Sequence, residues 1–109
     1  MEWSIQQLAR LSGVTSRTLR HYDDLGLLPP TRVGANGYRY YDQAALVRLQ
    51  RILLLRELGL RLSTIADVLD GQTDDVAALT THRLLLQQER ERVDRLIASV
   101  TTTIERLEG

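Results

Sequence analysis

From Asp74 to Glu108 the chain holds no proline and no internal glycine, and Leu79, Leu86, Val93, Val100 and Leu107 recur every seven residues. A companion seam runs through Val76, Arg83, Arg90, Ile97 and Ile104. Apolar residues at this spacing predict one continuous helix with a coiled-coil stripe. At 1.5 Å per residue it extends about 50 Å, too long for a domain of this size to bury. The stripe therefore calls for a second copy of the chain, or for a groove on another protein. A homodimer is expected, with Val76, Leu79, Leu86, Val93, Ile97, Val100, Ile104 and Leu107 at its interface. Arg83 and Arg90 interrupt the seam. They either pair across the interface with Glu89, Glu91 or Asp94, fixing register or direction, or snorkel outward.

Upstream the pattern changes to short segments separated by glycines. Ser4 and Gln7 form a capping box ahead of Ile5, Leu8 and Ala9, the apolar face of a first helix that Gly13 ends. Thr15 is the expected N-cap of a second helix, in which Leu19 and Tyr22 turn inward while Arg17, Thr18, Arg20 and His21 stay more exposed. Gly26 closes it, and Pro29-Pro30 prevents its resumption. Two short helices about a glycine turn match the helix-turn-helix pattern, with a plain helical hairpin as the alternative.

Thr31-Arg32-Val33 and Tyr38-Arg39-Tyr40-Tyr41 flank Gly34-Ala35-Asn36-Gly37, an arrangement that predicts a β-hairpin through an Asn-Gly turn with positive φ angles. A ribbon so short has to lean on the helices or on a ligand. Asp42 caps a third helix that runs to Leu58 and stops at Gly59. Its residues Leu46, Leu49, Ile52, Leu53, Leu54, Leu55 and Leu58 are expected in the core, with Arg48, Arg51 and Arg56 solvated. Ser63 is the expected cap of a short fourth helix carrying Ile65, Val68 and Leu69, closed by Gly71. The expected organisation is residues 1–72 as one domain and 73–109 as a dimerisation helix.

Charge adds what patterning cannot. The 109 residues carry no net charge, yet residues 1–62 hold nine arginines against five acids, whereas 63–109 hold five against nine. A basic front half and an acidic back half are expected where one part faces phosphates. The chain has no cysteine, which removes disulfides and thiolate metal sites. His21 and His82 are far apart and lack a ligand pattern, so neither a metal nor a cofactor is expected. No apolar run reaches the length of a membrane span, and Met1-Glu2-Trp3 opens no signal peptide, so a cytoplasmic protein without membrane contact is expected. Asp23-Asp24 and Asp74-Asp75 fall at helix ends, where capping explains them. No nucleophile–base set or phosphate-cradling glycine loop appears, so no enzyme is expected.

Guanidinium, hydroxyl and phenol groups on the second helix and the ribbon suit phosphates and base edges. Arg39, flanked by tyrosines, is the wing residue expected to touch DNA.

The order helix-turn-helix, ribbon, core helices, dimer helix resembles a MerR-type transcription regulator. The motifs that carry the resemblance are Gly13-Val14-Thr15, Thr18-Leu19-Arg20-His21-Tyr22-Asp23, Gly26-Leu27-Leu28-Pro29-Pro30, Tyr38-Arg39-Tyr40-Tyr41, and Leu58-Gly59-Leu60 leading into Ser63-Thr64-Ile65. They span residues 4 to about 71, and within the family the chain looks closest to the TipA-like branch. The resemblance implies a mainly α fold, a winged helix-turn-helix followed by an antiparallel coiled-coil helix. It implies a homodimer on a near-palindromic promoter site in double-stranded DNA, with RNA polymerase as a further partner. Bending and untwisting the DNA would realign two promoter elements, at about 1–6 kcal/mol for smooth bending.

Carried to matching positions, Ser16, Arg17 and Thr18 would face the major groove, and Arg20 and Tyr22 would hold phosphates. Tyr38 and Arg39 would grip backbone or minor groove. The turn at Arg61 and Ser63 would form a second wing. Thr15, His21 and Arg32 complete the expected DNA-facing set. His21 stands where the family more often has Tyr or Phe. No sensing domain follows the dimer helix and no cysteines flank it, so the sequence is expected to be the DNA-binding half of a longer protein, with a minimal regulator as the alternative. An excisionase-like architectural protein and a coiled-coil interaction module are the competing functions.

Overall fold

Ser4 serves two elements at once. Its backbone belongs to strand β1 (Trp3–Ser4), while its side chain caps α1 (Ile5–Ser12). Ser4 Oγ accepts from the Gln7 amide at 3.2 Å, and Gln7 Oε1 accepts from the Ser4 amide at 2.8 Å, the reciprocal capping box expected from the spacing. The computed structural model describes all 109 residues, in two compact units, Met1–Gln72 and Thr73–Gly109.

In the first unit α2 (Ser16–Asp24) follows α1 and is capped by Thr15, as expected. Strands β2 (Arg32–Val33) and β3 (Arg39–Tyr41) come next, then α3 (Gln43–Glu57) capped by Asp42, then α4 (Leu62–Leu69). Leu8, Leu19, Tyr41, Leu49, Ile52 and Ile65 have no exposed surface, and this core draws on α1, α2, β3, α3 and α4 together. The second unit is the single helix α5 (Asp75–Glu108), capped by Asp74. No helix is long and apolar enough to cross a membrane.

Two helices end alike and feed the core. After α2, Gly26 takes φ 71°, its amide bonds Asp23 O at 2.9 Å, and the Leu27 amide reaches back to Tyr22 O at 2.8 Å. After α3, Gly59 takes φ 93°, with bonds from Gly59 to Arg56 O at 2.9 Å and from Leu60 to Leu55 O at 3.1 Å. Both are Schellman closures, and each turns a leucine, Leu27 or Leu60, into the buried interior.

The structure corrects several expectations. The ribbon has three strands, in the order β1-β3-β2, all antiparallel, with Trp3 opposite Tyr41 and Val33 opposite Arg39. Two residues cannot announce a strand from their own pattern; β1 exists because β3 offers it an edge. The hairpin turn spans Gly34 to Gly37, closed by Gly37 N–H to Gly34 O at 2.9 Å, and only Gly37 has positive φ. Asn36 keeps negative φ and uses Oδ1 to accept from the Tyr38 amide at 3.0 Å.

Ser63 is not a cap. α4 begins at Leu62 with Arg61 at the N-cap and no side-chain capping bond. Starting there puts Leu62, Ile65, Ala66 and Leu69 on one face against the core, and that burial outweighs a hydroxyl cap. Leu54 and Leu58 are 57% and 48% exposed and so lie outside the core. Their positions continue the exposed side of α3 that begins at Val47. Arg48 is not simply solvated: Nε donates to Leu27 O at 2.7 Å and Nη2 to Asp70 Oδ1 at 3.0 Å. Arg56 Nη1 likewise donates to Leu60 O at 3.0 Å.

Two stability outcomes follow. A Cβ at Gly26 would meet nothing within 4 Å, so Gly26→Ala carries only the left-handed backbone penalty, about 1–2 kcal/mol in urea unfolding. Asp42 Oδ1 accepts from the Ala45 amide at 3.0 Å, which, with the Thr31 hydroxyl, lowers the Asp42 carboxyl below its ordinary 3.8. A lowered folded value stabilises at pH above the ordinary one and is lost as pH falls through it. Asp42→Ala should therefore lower the melting temperature at neutral pH, and the gap from wild type should close in acid.

Candidate nucleic-acid interface

The second helix presents two different sides. Leu19 and Tyr22 are buried, while Arg17, Arg20 and His21 are exposed, at the i, i+3, i+4 spacing of one helical face. Tyr22, which the resemblance would have hold a phosphate, is thus a core ring, as the apolar pattern itself implied. At the head of the helix Thr15 Oγ1 accepts from the Thr18 amide at 3.0 Å and lies 2.9 Å from Thr18 Oγ1. These two hydroxyls are occupied with one another and with the cap. Ser16 is half-buried beside them.

On the ribbon Tyr38 is 63% exposed, at the end of the Gly34–Gly37 turn. The arginines there are already engaged. Arg32 Nε donates to both carboxylate oxygens of Glu2, at 3.0 and 3.1 Å, and its guanidinium lies 4.2 Å from the Tyr40 ring centroid. Arg39 Nε donates to Asp23 Oδ2 at 2.9 Å, and this bond pushes the guanidinium pKa above its usual value. Next to it Tyr41 is fully buried, its hydroxyl lacks a hydrogen-bond partner, and burial raises its pKa.

Arg17, Arg20 and Arg61 form no ion pair, nor does Arg10 in the last turn of α1. Arg61 and Ser63 are both exposed at the start of α4. The acids that hold Arg32 and Arg39 were missed in the sequence because the partners lie 30 and 16 residues away, beyond any local spacing rule.

In the second unit every residue of the expected seam is exposed, from 37% at Leu79 to 83% at Leu107. Leu85 and Leu96 are exposed apolar residues that the seven-residue repeat did not include. Glu89 is held within its own helix by Arg92, Nη2 to Oε1 at 2.6 Å, which lowers the Glu89 carboxyl. That leaves Glu91 and Asp94 as the acids open to Arg83 and Arg90.

A helix that exposes two arginines, following a helical turn and beside a three-stranded ribbon, defines a winged helix-turn-helix protein. The chain belongs to the MerR family of DNA-binding transcription regulators. The model described as MerR HTH family regulatory protein matches residues 3–72, and the one described as MerR, DNA binding matches residues 46–109.

Among curated relatives, the HTH-type transcriptional regulator SkgA of Caulobacter vibrioides is 49% identical over 98% of this chain and 42% of its own length. The HTH-type transcriptional activator TipA of Streptomyces coelicolor is 42% identical over 96% of this chain and 42% of its own. The crystal structure of MtaN, the N-terminus of the Bacillus subtilis multidrug transporter activator, superposes with a TM-score of 0.87 at 40% identity. That match covers 94% of this chain and 97% of MtaN. The chain thus spans about two fifths of the length of the curated relatives, which are named as regulators and not as enzymes.

Proposed function

We propose that this chain binds a near-palindromic promoter site as a homodimer and alters transcription by distorting the DNA. The observation that carries the reading is the face of α2, where Arg17, Arg20 and His21 are exposed and neither arginine has an ion-pair partner. A cation left unpaired on a helix that follows a helix-turn is free to meet phosphate or a guanine edge. In this reading Ser16 and Arg17 face the major groove, Arg20 and Arg61 hold phosphates, and Tyr38 extends the contact from the ribbon.

Dimerisation is supported by α5. A 34-residue helix with Leu79, Leu86, Val93, Val100 and Leu107 exposed along one stripe calls for a partner, and an identical helix supplies the matching stripe. Two DNA-binding units joined this way fit an inverted repeat, because the symmetry of the site mirrors that of the protein. The membership in a regulator family sets aside the excisionase-like alternative. Distortion of the DNA is the part of the proposal that rests on family resemblance, and a bend measured by end-to-end fluorescence transfer would test it.

Selection from a random-sequence duplex pool should enrich an inverted repeat, and failure to enrich any sequence at low salt would remove the proposal. On the enriched duplex, affinity should fall steeply with salt, and Arg20→Ala should weaken all sequences alike while reducing the log–log salt slope by about two, one for each copy in the dimer. Arg17→Ala should instead relax base preference, by about 1–3 kcal/mol at one position, if it reads a guanine.

Ile97→Asp should break the dimer. Losing one buried large apolar side chain is worth about 1.5–3 kcal/mol per copy, so sedimentation should show at least a tenfold rise in dimer dissociation constant. A variant that sediments as wild type would refute the α5 interface.

A further inference from the structure

Arg39 has the position of a DNA contact and the bonding of a brace. β3 packs on α1 and α3, while α2 packs on α1. The bond from Arg39 Nε to Asp23 Oδ2, 2.9 Å, is the one hydrogen bond that joins α2 to β2, β3 or their turn. Both side chains are partly withdrawn from water, at 31% and 23% exposure, so the pair is screened less than a surface ion pair.

The setting also argues against a phosphate at this arginine. A phosphate drawn to the guanidinium would come up against the Asp23 carboxylate already bonded to it, with Asp24 exposed on the next position of α2. Arg17 and Arg20 carry no such neighbour in an ion pair. Bound to one acid, Arg39 adds no net charge to the face, whereas those two add a full charge each.

We propose that Asp23 and Arg39 are a positioning pair, which sets the wing against the recognition helix so that both reach one duplex together. Arg39 is therefore not one of the phosphate-neutralising cations, and Asp23 is as necessary to binding as Arg39 is. This inference rests on the DNA-binding reading of α2 and the ribbon.

The test uses the full chain, the duplex enriched from the random pool, and four variants: Asp23→Asn, Arg39→Gln, the two combined, and the exchange Asp23→Arg with Arg39→Asp. Thermal melts fix a temperature at which every variant is folded. A positioning pair predicts that each single substitution weakens binding about tenfold and that the double is no worse than either single, because the two changes remove one shared interaction. The salt slope should equal that of wild type in all of them, because no phosphate contact has been lost.

The exchange should regain affinity relative to the singles. A role in fold stability alone would leave affinity unchanged at a temperature where every variant is folded. The proposal is overturned if Arg39→Gln lowers the salt slope by about two, one for each copy in the dimer, while Asp23→Asn tightens binding, the pattern of a phosphate contact held back by its acid. It is also overturned if folded singles bind as wild type. Wild-type protein that binds no duplex would instead remove the underlying DNA reading.

Discussion

Strands of two and three residues cannot hold a sheet together by their own hydrogen bonds, so the wing exists only because one side of β3 is buried. Tyr41 supplies that burial. It has no exposed surface, it lies opposite Trp3 in the ladder, and it packs in the cluster that also contains Leu8 of α1 and Leu49 of α3. Burying a large aromatic side chain contributes on the order of 2–3 kcal/mol, enough to matter for an element with so few ladder bonds. The cost is visible at the ring's far end, where the hydroxyl is buried with nothing to bond. Placement of the whole ribbon, and with it Tyr38, follows from this anchor.

The parts of the fold that were legible in the sequence are those fixed by neighbours three or four residues away. Ser4 with Gln7, Thr15, Asp42 and Asp74 cap the helices they precede. Gly26 and Gly59 end helices because the chain must turn left-handed there before a leucine can enter the core. What escaped the sequence reading depends on residues far along the chain. β1 needs β3, about forty positions on, and Ser63 lost its expected capping role to the apolar face that begins at Leu62. Leu54 and Leu58 show that an apolar residue on an apolar helix is not thereby internal.

The candidate site was legible in part for the same reason. The exposed set on α2 follows from helical spacing once Leu19 and Tyr22 are recognised as the inward side. Spacing says nothing about which arginines are already spoken for. Of the basic residues in the first unit, Arg32, Arg39 and Arg48 are in ion pairs and Arg56 is tied to a carbonyl, while Arg17, Arg20 and Arg61 have no such acid. A basic front half is therefore two populations, one that braces the fold and one that carries no acid partner. The excess of charge read from the sequence becomes a small number of directed cations.

The pairing of Trp3 and Ser4 with the middle strand has a practical side. It brings the first residues of the chain alongside the ribbon, with Glu2 gripping Arg32. Anything grafted ahead of Met1, whether an affinity tag or a fluorescent fusion, would emerge next to the wing. It would crowd the Glu2–Arg32 ion pair and the strand beside it.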